Sequence, residues 1–289
     1  MITLQKFNSQ LIKSLEKLYS KDEATSIAEF YICETLNFSR TNLLLVKNEM
    51  LSENNYLKLI KNQIRLEQGE PVQYVTNTAW FYGSKFFVDK NVLIPRQETE
   101  LLVDIIIKES KNKSIKILDI GTGSGCIPIC LKKELENSQV FALDISIKAL
   151  SIAQKNAELN NVNIEFINFD ILSENQIPIN KKFDVIISNP PYITNSEKQF
   201  MHANVLEFEP ELALFVTDEN PFVFYQAIIN KAKELLKPTG VLWLEINEKF
   251  PNEIVKLCQD VGFVTNNIIK DINKKTRFVK SSFKNLYIC

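Results

Sequence analysis

Three of the chain's seven glycines fall within five residues, Gly121-Thr122-Gly123-Ser124-Gly125, directly after the apolar run that ends Leu118-Asp119-Ile120. In a chain so poor in glycine, this clustering needs a local cause. Glycine permits a sharp strand-to-helix turn and close approach of the backbone to a ligand, and the helix that follows presents free N–H groups. The segment predicts strand, tight turn and helix in succession. On its own it fits a plain βα turn as well as a ligand-binding loop.

The surroundings extend the pattern. From Ser114 onward, Ile115–Ile120, Val140–Leu143, Ile164–Ile167, Phe183–Ile187 and Val241–Ile246 read as strands, with helices starting near Gly125, Ser146, Pro221 and Pro251. Such alternation predicts an α/β, Rossmann-like fold: a mostly parallel sheet with helices on both faces. Phe263–Ile269, Arg277–Lys280 and Leu286–Ile288 supply one or two further strands.

Residues 1–71 instead place apolar side chains at helical spacing: Phe7, Leu11, Leu15 and Leu18, then Ile27, Phe30 and Tyr31, then Leu57, Ile60 and Ile64. Polar clusters near Asn37–Thr41 and Ser52–Asn55 break them, which predicts a small N-terminal helical domain. Residues 72–95 change to even steps, with Val72, Tyr74, Trp80, Tyr82, Phe86 and Val88 around a Gly83-Ser84 turn. They predict a β-hairpin linker leading to a main domain over residues 96–289.

Hydrophobic residues make up 45% of the 289 and charged residues 24%, the proportions of a soluble globular protein. A net charge of -1 provides no global positive field to hold a polyanion, so stable nucleic-acid binding is not expected. The five cysteines, Cys33, Cys126, Cys130, Cys258 and Cys289, are scattered without a C-x-x-C pair, which disfavours disulfides and zinc. No metal is expected. The one histidine, His202, lies in a polar stretch and suits a surface role better than general-base catalysis. No apolar run approaches the roughly 18 residues of a membrane span, and the amino terminus lacks a signal-type apolar region, so a cytoplasmic location is expected.

Asp119 precedes the glycine loop, and Asp144, followed by Ile145, ends the next apolar strand, where a carboxylate can accept hydrogen bonds from ribose hydroxyls. A nicotinamide or flavin dinucleotide is the weaker occupant, because its fingerprint needs a small residue where Cys126 stands. Asp170 and Ile171 close the third strand, where an aspartate also serves as a turn or helix cap.

Asn189-Pro190-Pro191-Tyr192 follows the fourth strand. Ligands of open α/β sheets bind beyond the carboxyl ends of the strands, so this tetrapeptide should face the same crevice as the glycine loop. Taken alone it could be a polyproline-like turn. Its chemistry suits methyl transfer to an NH₂ group whose lone pair is delocalised. The Asn189 side-chain oxygen and the Pro190 carbonyl can each accept one N–H and turn the lone pair toward a methyl donor, the two prolines stiffen the backbone, and Tyr192 can cover the planar group. No general base is required.

The glycine loop with its two acids resembles the first motif of class I S-adenosylmethionine methyltransferases, over about residues 114–250. That resemblance implies a seven-stranded sheet, with Gly121, Thr122, Gly123, Ser124 and Gly125 against the methionine portion, Asp144 on the ribose and Asp170 beside adenine. Asn-Pro-Pro-Tyr resembles enzymes acting on glutamine amides or on adenine N6.

Further segments resemble the release-factor glutamine methyltransferase family. They are Glu70-Pro71-Val72-Gln73-Tyr74-Val75-Thr76, Phe81-Tyr82-Gly83, Val92-Leu93-Ile94-Pro95-Arg96-Gln97-Glu98-Thr99-Glu100, Glu207-Phe208-Glu209-Pro210, Ala213-Leu214, Phe224-Tyr225 and Glu245-Ile246. The resemblance implies transfer from S-adenosyl-L-methionine to N5 of the glutamine in the Gly-Gly-Gln motif of class 1 peptide chain release factors, with S-adenosyl-L-homocysteine as product. It also implies a monomer whose helical domain recognises the folded factor. It sets Pro95 and Arg96 near the substrate crevice, although a proline at a helix start and an arginine paired with Glu98 or Glu100 would be purely structural.

A ribosomal-protein glutamine methyltransferase would share Asn-Pro-Pro-Tyr without the Gln-Glu-Thr-Glu continuation. An adenine N6 enzyme for DNA or RNA would need a basic surface or a base-flipping apparatus. A non-catalytic cofactor-binding module would be expected to lose Asn189 or the glycine loop. Two positions depart from the family pattern: Asn77 and Asn247 stand where glycine is usual.

Overall fold

The computed structural model describes residues 2–284 and divides into two compact units. Of the described residues, one unit comprises 2–78, Val88–Lys90 and His202–Phe208, the other Ala79–Phe87, Asn91–Met201 and 209–284.

The first unit is helical, with Leu4–Leu15, Lys21–Leu36, Arg40–Leu45 and Glu53–Glu67 as its longer segments. Each is opened by a hydroxyl that accepts a backbone N–H: Thr3 from Lys6, Ser20 from Glu23, Ser39 from Asn42 and Ser52 from Asn55. Such caps satisfy donors that the first turn of a helix leaves free. Phe7, Leu11, Leu15, Tyr31, Ile32 and Leu59 form the core.

Not every apolar position predicted from spacing faces it. Leu18, Leu57, Ile60 and Ile64 are exposed, and Glu53–Glu67 buries Leu59 and Leu66 instead. That helix carries apolar residues on two sides, and spacing alone does not say which side meets the core. Val72–Val75 is a helical turn rather than a strand, started by Pro71 at φ -53°. Asn77 is left-handed at φ +51°, a conformation asparagine tolerates better than most residues, and its Nδ2 donates to the Val88 carbonyl at 3.0 Å.

In the second unit, Ala79–Phe81 and Ser84–Phe86 form the hairpin. Its turn is Tyr82-Gly83, both at positive φ, one residue earlier than the spacing suggests. The register pairs Phe81 with Ser84 and buries Ala79, Phe81, Ser84 and Phe86 while leaving Trp80 outside. A one-residue shift of the turn exchanges the two faces of a strand.

Seven described strands form the main sheet, numbered in chain order: β1 Lys116–Ile120, β2 Gln139–Asp144, β3 Glu165–Asn168, β4 Phe183–Ser188, β5 Leu236–Glu245, β6 Thr265–Lys270 and β7 Thr276–Ser282. Their spatial order is β6-β7-β5-β4-β1-β2-β3, with β7 antiparallel to both neighbours and the other pairings parallel. The strand expected over Leu286–Ile288 lies outside the described residues.

Successive strand residues enter opposite cores. Ile117 packs with Leu102, Ile106 and Ile129 on one face, and Leu118 packs with Phe183, Ile228 and Ile254 on the other. Strands buried on both faces need continuous apolar runs, which is why these strands are legible in the sequence. Among the described residues, no helix is long and apolar enough to cross a membrane.

Pairing of Ile120 with Leu143 and with Ser188, and of Ser188 with Leu244, aligns the carboxyl ends of β2, β1, β4 and β5. The loops leaving these ends therefore open on one edge. Asn156, fully buried in helix Ile147–Leu159, secures this region. Its Nδ2 donates to the carbonyls of Phe87 and Ser124, both at 2.9 Å, and its Oδ1 accepts the Phe87 N–H at 2.6 Å. Asn156→Ala is expected to lower unfolding free energy by about 2–4 kcal/mol, because buried backbone groups lose their partners. A urea melt checks this, and a loss below about 0.5 kcal/mol would place the substitution with ordinary surface changes and refute it.

Candidate active site

The glycine loop is fastened to the end of β2. The N–H groups of Gly121 and Thr122 donate to the Leu143 carbonyl at 2.9 and 3.0 Å, and the Gly123 N–H donates to Asp144 Oδ2 at 2.9 Å. Gly121, Gly123 and Gly125 all have positive φ, between +54° and +80°. Their surroundings differ. A Cβ on Gly121 or Gly123 would meet nothing within 4 Å, whereas one on Gly125 would lie 3.1 Å from both Ala153 Cβ and Ile129 Cδ1. The first two glycines thus border open space, and the third allows helix Ile147–Leu159 to pack closely.

Asp119 is fully buried, and neither carboxylate oxygen has a hydrogen-bond partner; the Thr122 hydroxyl beside it is likewise unpaired. Burial pushes the Asp119 pKa up to about 7 and Asp144 reinforces the shift; the Thr122 hydroxyl is near enough to oppose it, although its geometry falls short of a hydrogen bond. Asp144 is also raised by burial, against the N–H groups of Ser146, Gly123 and Ile145. Its Oδ1 accepts the Ser146 N–H at 2.9 Å. Ser124 is buried, and Ile145 is exposed beside Asp144.

Asp170 lies at the end of β3, where its Oδ1 accepts the Leu172 N–H at 2.9 Å and closes a turn. Ile171 is buried behind it. Asn168, which the sequence did not single out, donates to the carbonyls of Asp144 and Ile145 at 3.0 and 2.8 Å and ties the ends of β2 and β3 together.

The Asn-Pro-Pro-Tyr segment leaves β4 next to the glycine loop. Ser188 Oγ donates to the Ile120 carbonyl at 2.7 Å, linking the residue before Asn189 to the residue before Gly121. Asn189 is partly buried, and among the described residues its side-chain amide is not hydrogen-bonded to another protein group. Pro190 is buried, and Pro191 and Tyr192 are partly so. The Tyr192 hydroxyl donates to Glu245 Oε1 at 3.3 Å, and burial with that neighbouring carboxylate pushes the phenol well above its usual range. Glu245 is itself raised by burial to about 7, opposed first by the Thr99 hydroxyl and then by Arg277.

Pro95 and Arg96 precede helix Gln97–Ser110. Arg96 pairs not with Glu98 or Glu100 but with Glu209, at 2.7 Å. Glu209 is buried and also accepts the Ile94 N–H at 3.3 Å, so Arg96 is committed to a carboxylate 113 residues away. No local spacing could reveal that partner. His202 is exposed at the start of helix Ala203–Phe208. Cys33, Cys126, Cys130 and Cys258 are buried free thiols, and burial pushes Cys126 up to about 12 and Cys258 to about 11, far from thiolate chemistry. Among the described residues no His, Cys, Asp and Glu side chains gather as a metal site. A cavity of about 630 Å³ opens at the opposite edge of the sheet, lined by Lys116, Lys181, Lys182 and Lys231, and takes in none of the residues above.

Comparisons with known proteins agree with this architecture. Residues 96–209 match the family described as Methyltransferase small domain, and residues 9–76 match the PrmC N-terminal domain. A crystal structure of a methyltransferase from Pyrococcus furiosus shares the fold, with a TM-score of 0.51 at 18% identity over 80% of this chain and 99% of that one. The release factor glutamine methyltransferase of Flavobacterium psychrophilum is 41% identical over 97% of this chain and 99% of its own length. That of Bacteroides thetaiotaomicron is 39% identical over 96% and 100%. Identity at this level along nearly the whole of each chain is that of common descent with a common architecture, and the chain belongs to the release factor glutamine methyltransferase family.

Proposed function

We propose that the chain transfers the methyl group of S-adenosyl-L-methionine to N5 of the glutamine in the Gly-Gly-Gln motif of class 1 peptide chain release factors, leaving S-adenosyl-L-homocysteine. It does so as a cytoplasmic monomer. The observation that carries this reading is the Ser188–Ile120 hydrogen bond, which holds the Asn-Pro-Pro-Tyr acceptors beside the glycine loop. The named function of the relatives supports the choice of substrate.

The cofactor fits the residues present. Open space over Gly121 and Gly123 suits a bound methionine portion, and the unpaired Asp119 carboxylate suits a nearby positive charge. When bound, S-adenosylmethionine supplies an electrophilic sulfonium methyl. Asp144 retains acceptor capacity for ribose hydroxyls, since each carboxylate oxygen offers more than one lone-pair site. Ile145, Asp170 and Ile171 border the adenine. Thr122 and Ser124 shape the loop.

Asn189 Oδ1 and the Pro190 carbonyl accept the two N–H bonds of the glutamine amide and orient its nitrogen toward the methyl. As nitrogen gains positive charge its N–H groups become stronger donors, so both contacts tighten toward the transition state; the methylated nitrogen then gives up one of those two protons to solvent water, leaving the neutral N-methyl amide. Tyr192 and Pro191 wall the amide, and Pro95 and Arg96 border the entrance. Much of the acceleration comes from placing nucleophile and donor in line.

Methyl-labelled S-adenosylmethionine should label unmethylated release factor, but not a factor whose Gly-Gly-Gln glutamine is replaced, and not DNA. Asn189→Ala should slow labelling by about 100-fold or more through loss of an oriented acceptor. Label on DNA alone would make the chain an adenine methyltransferase.

Asp119→Asn tests the cofactor fit. Because the Asp119 pKa is raised in the folded chain, from 3.8 to about 7, the unfolded chain loses its proton first. The wild-type stability contributed by this group is full below pH about 4, declines as pH rises to about 7, and is level above that. Subtracting the Asp119→Asn stability curve should isolate that decline. Cofactor affinity, measured by calorimetry, should strengthen through the same window in wild type and be about tenfold weaker in the variant at pH 8. Equal affinities would remove Asp119 from the cofactor site.

A further inference from the structure

The carboxyl end of β5 carries two polar side chains, Glu245 and Asn247, both nearly excluded from solvent at 2% and 8% exposure. They reach Tyr192 from its two ends. Glu245 Oε1 accepts the Tyr192 hydroxyl at 3.3 Å, while Asn247 Nδ2 donates to the Tyr192 main-chain carbonyl, also at 3.3 Å. Neither bond is short, so each depends on what holds its partner.

Both partners are fixed in turn. Glu245 Oε2 accepts the Thr99 hydroxyl at 2.7 Å, and the Glu245 carbonyl accepts the Tyr225 hydroxyl at 3.1 Å. Asn247 Nδ2 also donates to Glu197 Oε2 at 3.0 Å, and its Oδ1 accepts the Lys249 N–H at 3.1 Å. Glu197 accepts the N–H and hydroxyl of Thr194 at 2.9 and 3.0 Å and pairs with Lys249 at 2.6 Å. A tyrosine two residues beyond Pro190 is thus tied to helix Gln97–Ser110 through its ring and to the segment after β4 through its backbone.

We propose that Glu245 and Asn247 are positioning residues, which hold Tyr192 and through it the Asn189 and Pro190 acceptors in the geometry methyl transfer needs. This rests on the proposed reaction. A buried carboxylate is costly unless its oxygens are hydrogen-bonded, and Thr99 and Tyr192 satisfy one oxygen each. The titratable groups around it are Glu98 on the helix, Tyr192, Tyr225, Cys126 and, from β7, Arg277. Asn247 fills a position where a residue without a side chain would leave the Tyr192 carbonyl and Glu197 unlinked.

A double-mutant cycle in the full chain tests the assignment, using Glu245→Ala, Tyr192→Phe and the pair. Wild-type transfer to release factor is measured first, so failure of the proposed reaction shows there and not in the cycle. Glu245→Ala should lower kcat about 10- to 100-fold, the effect of a small misplacement, with the KM for S-adenosylmethionine nearly unchanged. Its effect should shrink to about threefold or less, of the order of experimental coupling limits, when Tyr192 is already phenylalanine. Glu245→Gln, which keeps an acceptor for one hydroxyl and presents an NH₂ from which the other can accept, should recover most of the rate, and Asn247→Ala should lower kcat in the same direction. Independently of activity, ¹³C-tyrosine NMR should show the Tyr192 ring resonance shifted or broadened in Glu245→Ala, where the hydroxyl loses its partner, and close to wild type in Glu245→Gln. Multiplicative effects in the cycle, or an unmoved Tyr192 resonance in Glu245→Ala, would overturn the proposal. If Glu245→Ala does not fold, Tyr192→Phe and Asn247→Ala are measured in its place, and a kcat within about twofold of wild type in either would overturn the proposal.

Discussion

Three backbone N–H groups of the glycine loop are committed to the last two residues of β2: two to the Leu143 carbonyl and one to the Asp144 carboxylate. The position of the site depends on that attachment. It requires Gly121 and Gly123 to take left-handed backbone conformations, and it turns their Cβ-free side toward open space. The same turn starts helix Cys126–Glu134, while Gly125 lets helix Ile147–Leu159 approach and brings Asn156 to the Ser124 carbonyl. One loop thereby sets an open edge and a packing contact at once.

The neighbouring strand ends are joined to this loop by buried polar contacts rather than by apolar packing. Ser188 reaches the Ile120 carbonyl, Asn168 reaches the end of β2, and Glu245 gathers Thr99 and Tyr192. Each satisfies groups whose burial would otherwise be costly. Asp119 and the neighbouring Thr122 hydroxyl differ, with no hydrogen-bond partner among the described residues. A buried carboxylate without a partner lowers stability, and a positive charge brought beside it would offset that cost.

Polar side chains also explain the two departures from the family pattern. Asn77 takes the left-handed backbone that glycine would take and adds a bond to Val88. Asn247 is different, because its side chain spans from Tyr192 to Glu197 and gives the end of β5 a contact that glycine cannot make. The first preserves a shape, and the second adds a constraint next to the Asn-Pro-Pro-Tyr segment.

The sequence by itself determined the alternating order of strands and helices, because strands buried on both faces must be continuously apolar and the helices between them must start at recognisable caps and prolines. It also located the glycine loop and Asn-Pro-Pro-Tyr, whose residue types have few alternative uses in combination. It did not determine which apolar side of Glu53–Glu67 is buried, that Val72–Val75 is helical, or where the hairpin turns, since these depend on packing against distant residues and on a turn one residue away. Nor did it indicate that Arg96 pairs with Glu209, that Asn156 bonds to Phe87, or that Glu245 meets Thr99 and Tyr192. These partners lie 113, 69, 146 and 53 residues apart in the chain. Only the tertiary structure decided them, because a hydrogen bond between side chains on different elements requires the sheet to have assembled and leaves no periodic trace in the sequence.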